Sequence, residues 1–273
     1  MNNITLGQYY PAKSLIHSLD ARVKVVLAIL YIVCSFLCKN VVSYAVLLAS
    51  AIILIIISRI PLRMIFRSLR PVLFILLFTV VINVLWTRGE RLLLEWWIIK
   101  IYYEGIMNSV FIGVRIVVLI IGSSVFMTYT TTPIELTDAL ESLLSPLKVF
   151  HAPVHEFAMM VTIALRFIPI LSEETTKIMQ AQKARGADFT SGGLIQRAKA
   201  LIPVLIPLFV SAFRRADELA TAMECRCYHG GDGRTRLHVP HCRGRDFVMI
   251  FVIVALGVGL VVLNRLGIGY TIS

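Results

Sequence analysis

Charge is scarce in this 273-residue sequence, and acidic charge is scarcest: 16 % of the residues are charged, and 16 carboxylates face 27 lysines and arginines. A soluble chain averages about 25 % charged residues. Here 58 % of the residues are hydrophobic and the mean hydropathy is +0.81. Burying that much apolar surface in water would need a larger core than the length allows, so the solvent is mostly lipid. Other absences narrow the chemistry. No G-x-x-x-x-G-K-[ST] occurs, which excludes a phosphate loop. His155-Glu156 is followed by Phe157-Ala158-Met159, so a zinc-protease helix lacks its second histidine. No acidic pair lies inside an apolar run where it could hold a metal diphosphate. The five cysteines form no secreted framework, since Cys34 and Cys38 lie in an apolar run. Residues 1–22 are polar and mixed, which predicts no cleavable signal peptide.

Present instead are long apolar runs at 23–38, 41–58, 71–86, 106–129 and 247–263. Each is near the 17–25 residues that about 30 Å of hydrocarbon requires. The net charge of +11 is placed largely in short loops beside these runs, not on a soluble basic face, which argues against a nucleic-acid partner. Lys13, Arg22 and Lys24 precede the first run, and Arg59, Arg63, Arg67 and Arg70 follow the second. The other side carries Lys39, then Arg88, Arg91 and Lys100 offset by Glu90, Glu95 and Glu104. The positive-inside rule therefore predicts an N-terminus inside, residues 130–246 in the cytoplasm, and a C-terminus outside with Arg265. The expected fold is all-α: a polytopic membrane protein with about five transmembrane helices. Its parts are residues 1–129 (an N-terminal segment and four spans), 130–246 (cytoplasmic helices) and 247–273 (the last span and tail).

Residues 130–246 carry both signs of charge yet stay periodic in apolar residues. Thr132-Pro133 reads as a capped helix start. A second helix is expected after Pro153, kinked at Pro169, and a third near Leu201 with Pro203 and Pro207 in its front end. From Leu205 through Leu208, Phe209, Ala212, Phe213, Ala216, Leu219, Ala220 and Met223 runs an i, i+3, i+4, i+7 stripe. Ala212, Ala216 and Ala220 would permit close approach of another helix, with Ala181 and Ala184 as the expected counterpart. Alanine is also simply the best helix former.

Two segments in this region resemble each other, Ile178-Met179-Gln180-Ala181-Gln182-Lys183-Ala184-Arg185-Gly186 and Leu219-Ala220-Thr221-Ala222-Met223-Glu224-Cys225-Arg226-Cys227. Both place an arginine at the polar end of an amphipathic helix, with glycine soon after (Gly186; Gly230-Gly231) to stop it. An arginine there suits the helix dipole and can be no more than a cap. Its planar fork of donors also fits a partner's carboxylate, and the repetition favours a paired contact device.

With these residues in view, the chain resembles the transmembrane T component of energy-coupling factor transporters, importers of vitamins and transition metals. Ser14-Leu15-Ile16-His17-Ser18-Leu19-Asp20-Ala21-Arg22-Val23-Lys24, preceded by Gly7-Gln8-Tyr9, carries the resemblance at the start. It continues in Thr132-Pro133-Ile134-Glu135-Leu136, in Pro153-Val154-His155-Glu156 and in Ala164-Leu165-Arg166-Phe167-Ile168-Pro169. The two arginine segments and Arg214-Arg215-Ala216-Asp217-Glu218-Leu219 complete it. The resemblance implies two long cytoplasmic coupling helices that cross as an X, each ending in an X-Arg-X motif seated in one of two cassette ATPases (A and A′ type). On that basis Ala184, Arg185 and Gly186 would dock one ATPase, and Cys225, Arg226 and Cys227 the other. Leu205, Phe209, Ala212, Ala216 and Ala220 would form the helix-crossing surface that carries the substrate-binding S component. The chain itself would be non-catalytic and hold no cofactor or metal, with ATP bound by its partners. Two departures from the family pattern are Cys225 in a usual Glu-Ala-Arg and Ala21 in a usual Leu-Asp-Pro-Arg. The alternative within the resemblance is a T component dedicated to cobalt or biotin.

Two other readings rest on single features. Cys225, Cys227, His229, His238, His241 and Cys242 lie close together and contain enough ligands for zinc, though their spacing is irregular. Arg115 lies well inside the fourth run, so it would mark the pathway of a self-contained carrier, or else bond structurally to a backbone carbonyl or to Asn83.

Overall fold

The computed structural model describes residues 9–87, 92–96, 99–150, 152–189, 191, 193–231 and 242–266. Gly7, Gln8, Arg88, Glu90, Arg91, His238 and His241, used above, lie outside the described residues. The chain divides into two compact units, one of residues 9–139 with 242–266 and one of residues 140–231.

The first unit is built from α1 (Ala21–Leu37), α2 (Val41–Ser58), α3 (Leu62–Trp86), α4 (Tyr103–Ser123) and α8 (Gly244–Arg265). These match the five apolar runs, as a helical membrane protein requires, because lipid offers backbone groups no partner outside the helix. A short antiparallel hairpin of β1 (Leu92–Trp96) and β2 (Ile99–Tyr102) joins α3 to α4, and periodicity gave no sign of it. The helix α3 also begins earlier than its apolar run. Arg63, Arg67 and Arg70, expected in a loop, are exposed in its first turns, at the i, i+4, i+7 spacing of one helix face.

Side-chain contacts fix the helix directions. Lys24 Nζ donates to the Thr130 carbonyl (2.7 Å), the Tyr31 ring lies against Gly122, and Arg115 reaches the Cys38 carbonyl (3.3 Å). Rising numbers along α1 meet falling numbers along α4, so the two are antiparallel. In contrast, α8 runs parallel to α1: Asp246 bonds Asp20 at one end, and Asn264 bonds Leu37 at the other. Alternating helices α1 to α4 followed by a parallel α8 require an even number of membrane crossings between α4 and α8. Among the described residues, six helices are long and apolar enough to cross a membrane: α2, α3, α4 extended to Tyr129, α6 (Val154–Ala184), α7 (Leu194–Cys225) and α8. The apolar α1 is shorter, at 17 residues.

Where Tyr31 meets Gly122, the core tolerates nothing larger. A Cβ at Gly122 would lie 2.3 Å from a Tyr31 ring carbon. Tyr31 is fully buried, and its hydroxyl is held by the Leu47 carbonyl and Ser50. Gly122→Ala should therefore destabilise the chain by about 2–3 kcal/mol, as overpacking does. A lowered melting temperature in detergent, restored in part by Tyr31→Leu, which removes the ring, checks this.

The segment before α1 is anchored. Tyr10 N–H donates to the Tyr129 carbonyl (3.0 Å), where α4 continues into a π-helical turn, Ser124–Tyr129. His17 Nε2 donates to the Tyr10 carbonyl (2.9 Å), which leaves Nδ1 to accept from the Ser14 hydroxyl (2.7 Å). That pattern needs a neutral ring. Burial, with Lys24 nearby, holds the His17 pKa below its ordinary 6.5, against the raising effects of the Tyr10 and Tyr129 carbonyls and Glu135. The depressed value means stability is full above pH 6.5 and is lost as pH falls, because the unfolded chain takes up its proton first. Melting temperature should therefore fall between pH 7 and pH 5, and fall less in His17→Gln.

Candidate functional site

The second unit carries the arginine segments on α6 and α7. After Pro153, α6 runs on through Pro169. The helix α7 begins at Leu194, ahead of the expected start near Leu201, and contains both Pro203 and Pro207. A proline inside a helix removes one N–H and strands the carbonyl four residues back. Pro207 strands the Pro203 carbonyl, and Gln182 of α6 supplies the missing donor (3.4 Å). Further along, Glu174 accepts from Ser211 (2.5 Å) and from Arg215 (3.1 Å). Ile163 and Phe167 then share an apolar groove of about 310 Å³ with Ala216, Leu219, Ala220 and Met223. Falling numbers on one helix meet rising numbers on the other, so α6 and α7 are antiparallel partners.

This pairing locates the expected surface. Ala212, Ala216 and Ala220 do face the other helix, but opposite the bulky Ile163, Phe167 and Leu171. Ala181 and Ala184 are exposed and are not their counterpart. Small residues against large ones leave the groove rather than a close backbone contact. Leu205 and Phe209 lie outside it, 45 % and 60 % exposed.

Both arginines occupy the same structural position. Arg185 directly follows the last residue of α6, as its C-cap residue, before the left-handed turn at Gly186 (φ 88°). Gly186 N–H donates to Lys183 (3.0 Å) and Ala187 N–H to Gln182 (3.0 Å). Arg226 stands likewise before Cys227 (φ 55°), with Cys227 N–H on Glu224 (2.8 Å) and Tyr228 N–H on Met223 (3.1 Å). The paired bonds are those of a Schellman cap, made entirely by the main chain. The arginine side chains are thus not consumed in capping, and both residues are exposed. The glycines expected to stop α7, Gly230 and Gly231, come later than the actual stop at Cys227. A side chain in the left-handed region costs about 1 kcal/mol relative to glycine. Cys227→Gly should therefore raise stability by up to about 1 kcal/mol, read as a higher melting temperature.

Comparison with known proteins bears on the whole chain. Residues 12–238 match the family described as cobalt transport protein (CbiQ). An energy-coupling factor transporter transmembrane protein of Clostridium kluyveri is 49 % identical over 249 residues, covering 91 % of this chain and 92 % of the relative. Its namesake in Ruminiclostridium cellulolyticum is 51 % identical over 237 residues (87 % and 88 %), and that of Bacillus subtilis 44 % over 256 (94 % and 96 %). The chain belongs to this family. It is a multi-pass membrane protein of the energy-coupling factor type, and the family match takes in both helix ends that carry an exposed arginine.

The remaining sequence candidates resolve around this membership. Arg115 donates to the Cys38 carbonyl at the end of α1 and to the Tyr44 hydroxyl, and stacks over Phe36 and Tyr44 at 5.9 and 5.6 Å. Asn83 bonds its own helix instead, at Thr79. Asn264 serves the same turn, donating to Leu37 and accepting from Ser43 (2.9 Å). Together they satisfy helix-end groups that lipid could not. Sequence reasoning flagged Arg115 for depth but had no signal for Asn264. His155 bonds Glu141 (3.1 Å), tying the start of α6 to the end of α5 (Pro133–Leu143). Among the described residues no three His, Cys, Asp or Glu side chains converge as metal ligands. His238 and His241, invoked for zinc, are outside those residues.

Proposed function

We propose that this chain is the non-catalytic coupling subunit of an energy-coupling factor importer. It would pass ATP-driven movement of two cassette ATPases to a substrate-binding S component. The observation that carries the reading is the twin cap: two exposed arginines, freed from capping by main-chain bonds, at opposite ends of one antiparallel helix pair. Followed through the α6–α7 pairing, Arg226 lies opposite the stretch of α6 near Met159. The two arginines are then about 40 Å apart at 1.5 Å per residue. That spacing suits one ATPase at each end, Ala184-Arg185-Gly186 on one and Cys225-Arg226-Cys227 on the other. Each guanidinium would meet a carboxylate bidentately.

The Glu174 bonds to Ser211 and Arg215 make α6 and α7 move as a pair, so displacement at either end reaches the middle. There the exposed apolar stripe around Leu205 and Phe209, beside Ala212, Ala216 and Ala220, offers the S component a seat. ATP would be bound and hydrolysed in the ATPases only. Two facts support a cytoplasmic place for these helices. The uncharged run of α7, residues 200–213, spans only about 21 Å, short of a bilayer's hydrocarbon. In the first unit, Lys13, Arg22, Arg59, Arg63, Arg67, Arg70, Arg243 and Arg245 gather at one end of the helices, as a cytoplasmic face does.

Co-expression tests the reading. The tagged chain should recover both ATPases and one S component, and vesicles containing all four should take up the S component's substrate when ATP is present. The chain reconstituted by itself should neither hydrolyse ATP nor transport, and transport by it would instead favour a self-contained carrier.

A further inference from the structure

Beside the anchored N-terminal segment lies a cavity of about 780 Å³ that neither the coupling role nor the helix packing uses. Lys13, Arg59 and Arg245 line it, brought together from the segment before α1, the end of α2 and the start of α8. Among the described residues none of the three is paired with a carboxylate. Three cations around one hollow repel one another unless an anion lies between them. The walls are not uniformly polar, however. Leu15 and Ile56 also line it and are 60 % and 68 % exposed. A small free anion would use the charges and leave this apolar wall bare.

We propose that this cavity is a binding site for the phosphodiester headgroup of an anionic phospholipid. The two guanidiniums and the ammonium would hold the phosphate oxygens, and the first acyl carbons would lie along Leu15 and Ile56. The position fits, because the cavity is at the arginine-rich end of the first unit, where helices leave the hydrocarbon. Arg59 sits in the left-handed region (φ 54°) and closes α2 through its main-chain N–H on Ile56 (3.2 Å). Its side chain is therefore not needed for the cap. The inference is independent of ATPase docking and is read without ATPases.

The test uses the full chain purified in detergent and titrated with phosphatidylglycerol, phosphatidylcholine or inorganic phosphate, with native mass spectrometry as the readout. Phosphatidylglycerol should bind at least about tenfold more tightly than phosphatidylcholine, and the combined Lys13→Gln, Arg59→Asn, Arg245→Gln variant should lose about a hundredfold. Asparagine tolerates the left-handed position, so the cap survives. Neutralising Arg63, Arg67 and Arg70 on α3 should leave the affinity within about twofold, because general surface attraction is not what the cavity supplies. Equal loss in both triple variants overturns the site. Equal binding of inorganic phosphate overturns the lipid and leaves a small-anion site. Should the combined variant fail to fold, Lys13→Gln and Arg245→Gln singly should each lose about fivefold, and unchanged affinity in both overturns the proposal.

Discussion

Charge reversal at both helix ends, Arg185→Glu with Arg226→Glu, is expected to give a chain that inserts and folds but holds neither ATPase. The caps explain why the two effects separate. The bonds that end α6 and α7 run between main-chain groups, so glutamate can occupy the same backbone positions. Its charge at the negative end of a helix dipole costs about 0.3–1 kcal/mol at each site. Losing a docking arginine at the centre of an interface costs about 2–4 kcal/mol, and a glutamate facing the partner's carboxylate adds repulsion. Each contact should then weaken by at least about a hundredfold. Since the arginines lie at opposite ends of the helix pair, each single variant should lose one ATPase and keep the other. Lysine keeps the charge but not the fork, and should fall between wild type and glutamate. Recovery of ATPases on the tagged chain, beside its melting temperature, reads both effects. Full assembly and uptake in the double variant, with only a small fall in melting temperature, would reduce both arginines to caps.

Much of this site was legible in the sequence because its determinants are local. The stripe on α7 and the polar ends of both helices are read within a few turns. Gly186 marks the left-handed stop of α6, so the position of Arg185 could be read directly. Cys227 was not legible, because cysteine has no preference for the left-handed region and the glycines that do prefer it come later. The helices over the five apolar runs were legible for the same local reason, since hydrophobic length is counted along the chain. Their relative directions were not, beyond alternation. The parallel pairing of α1 with α8 depends on contacts between residues more than two hundred positions apart. The opening segment containing His17 and Asp20 could be recognised as a family pattern without revealing its physical role. That role is to tie the start of α1 to α4 and α8. The counterpart of the alanine stripe was misplaced for a related reason. Small-residue spacing says that close approach is possible, whereas the partner face depends on the register of α6, which Gln182 and Glu174 set through side-chain bonds.

The tie between α1 and α8 carries the other large effect. Asp246 is 3 % exposed, and its two oxygens serve two chains of contact. One accepts the Asp20 N–H at the start of α1 (3.1 Å), the other the Arg243 N–H that begins α8 (2.6 Å). Asp20 in turn caps α1 through the Arg22 N–H (2.9 Å). Asp246→Ala removes both acceptors from a buried place and strands two donors. Each stranded group costs about 1–3 kcal/mol, so a total near 3–4 kcal/mol is expected. That is a large share of the 5–15 kcal/mol by which a folded chain is stable. Asp20→Ala takes away one cap and leaves Asp246 in place, and should cost about 1 kcal/mol. Asp246→Asn keeps the shape but turns one acceptor into a donor facing an N–H, and should lie between them. Thermal unfolding of the three variants in detergent tests this order. If Asp246→Ala melted with Asp20→Ala, the aspartate would serve α8 alone, and another contact would have to hold α1 beside it.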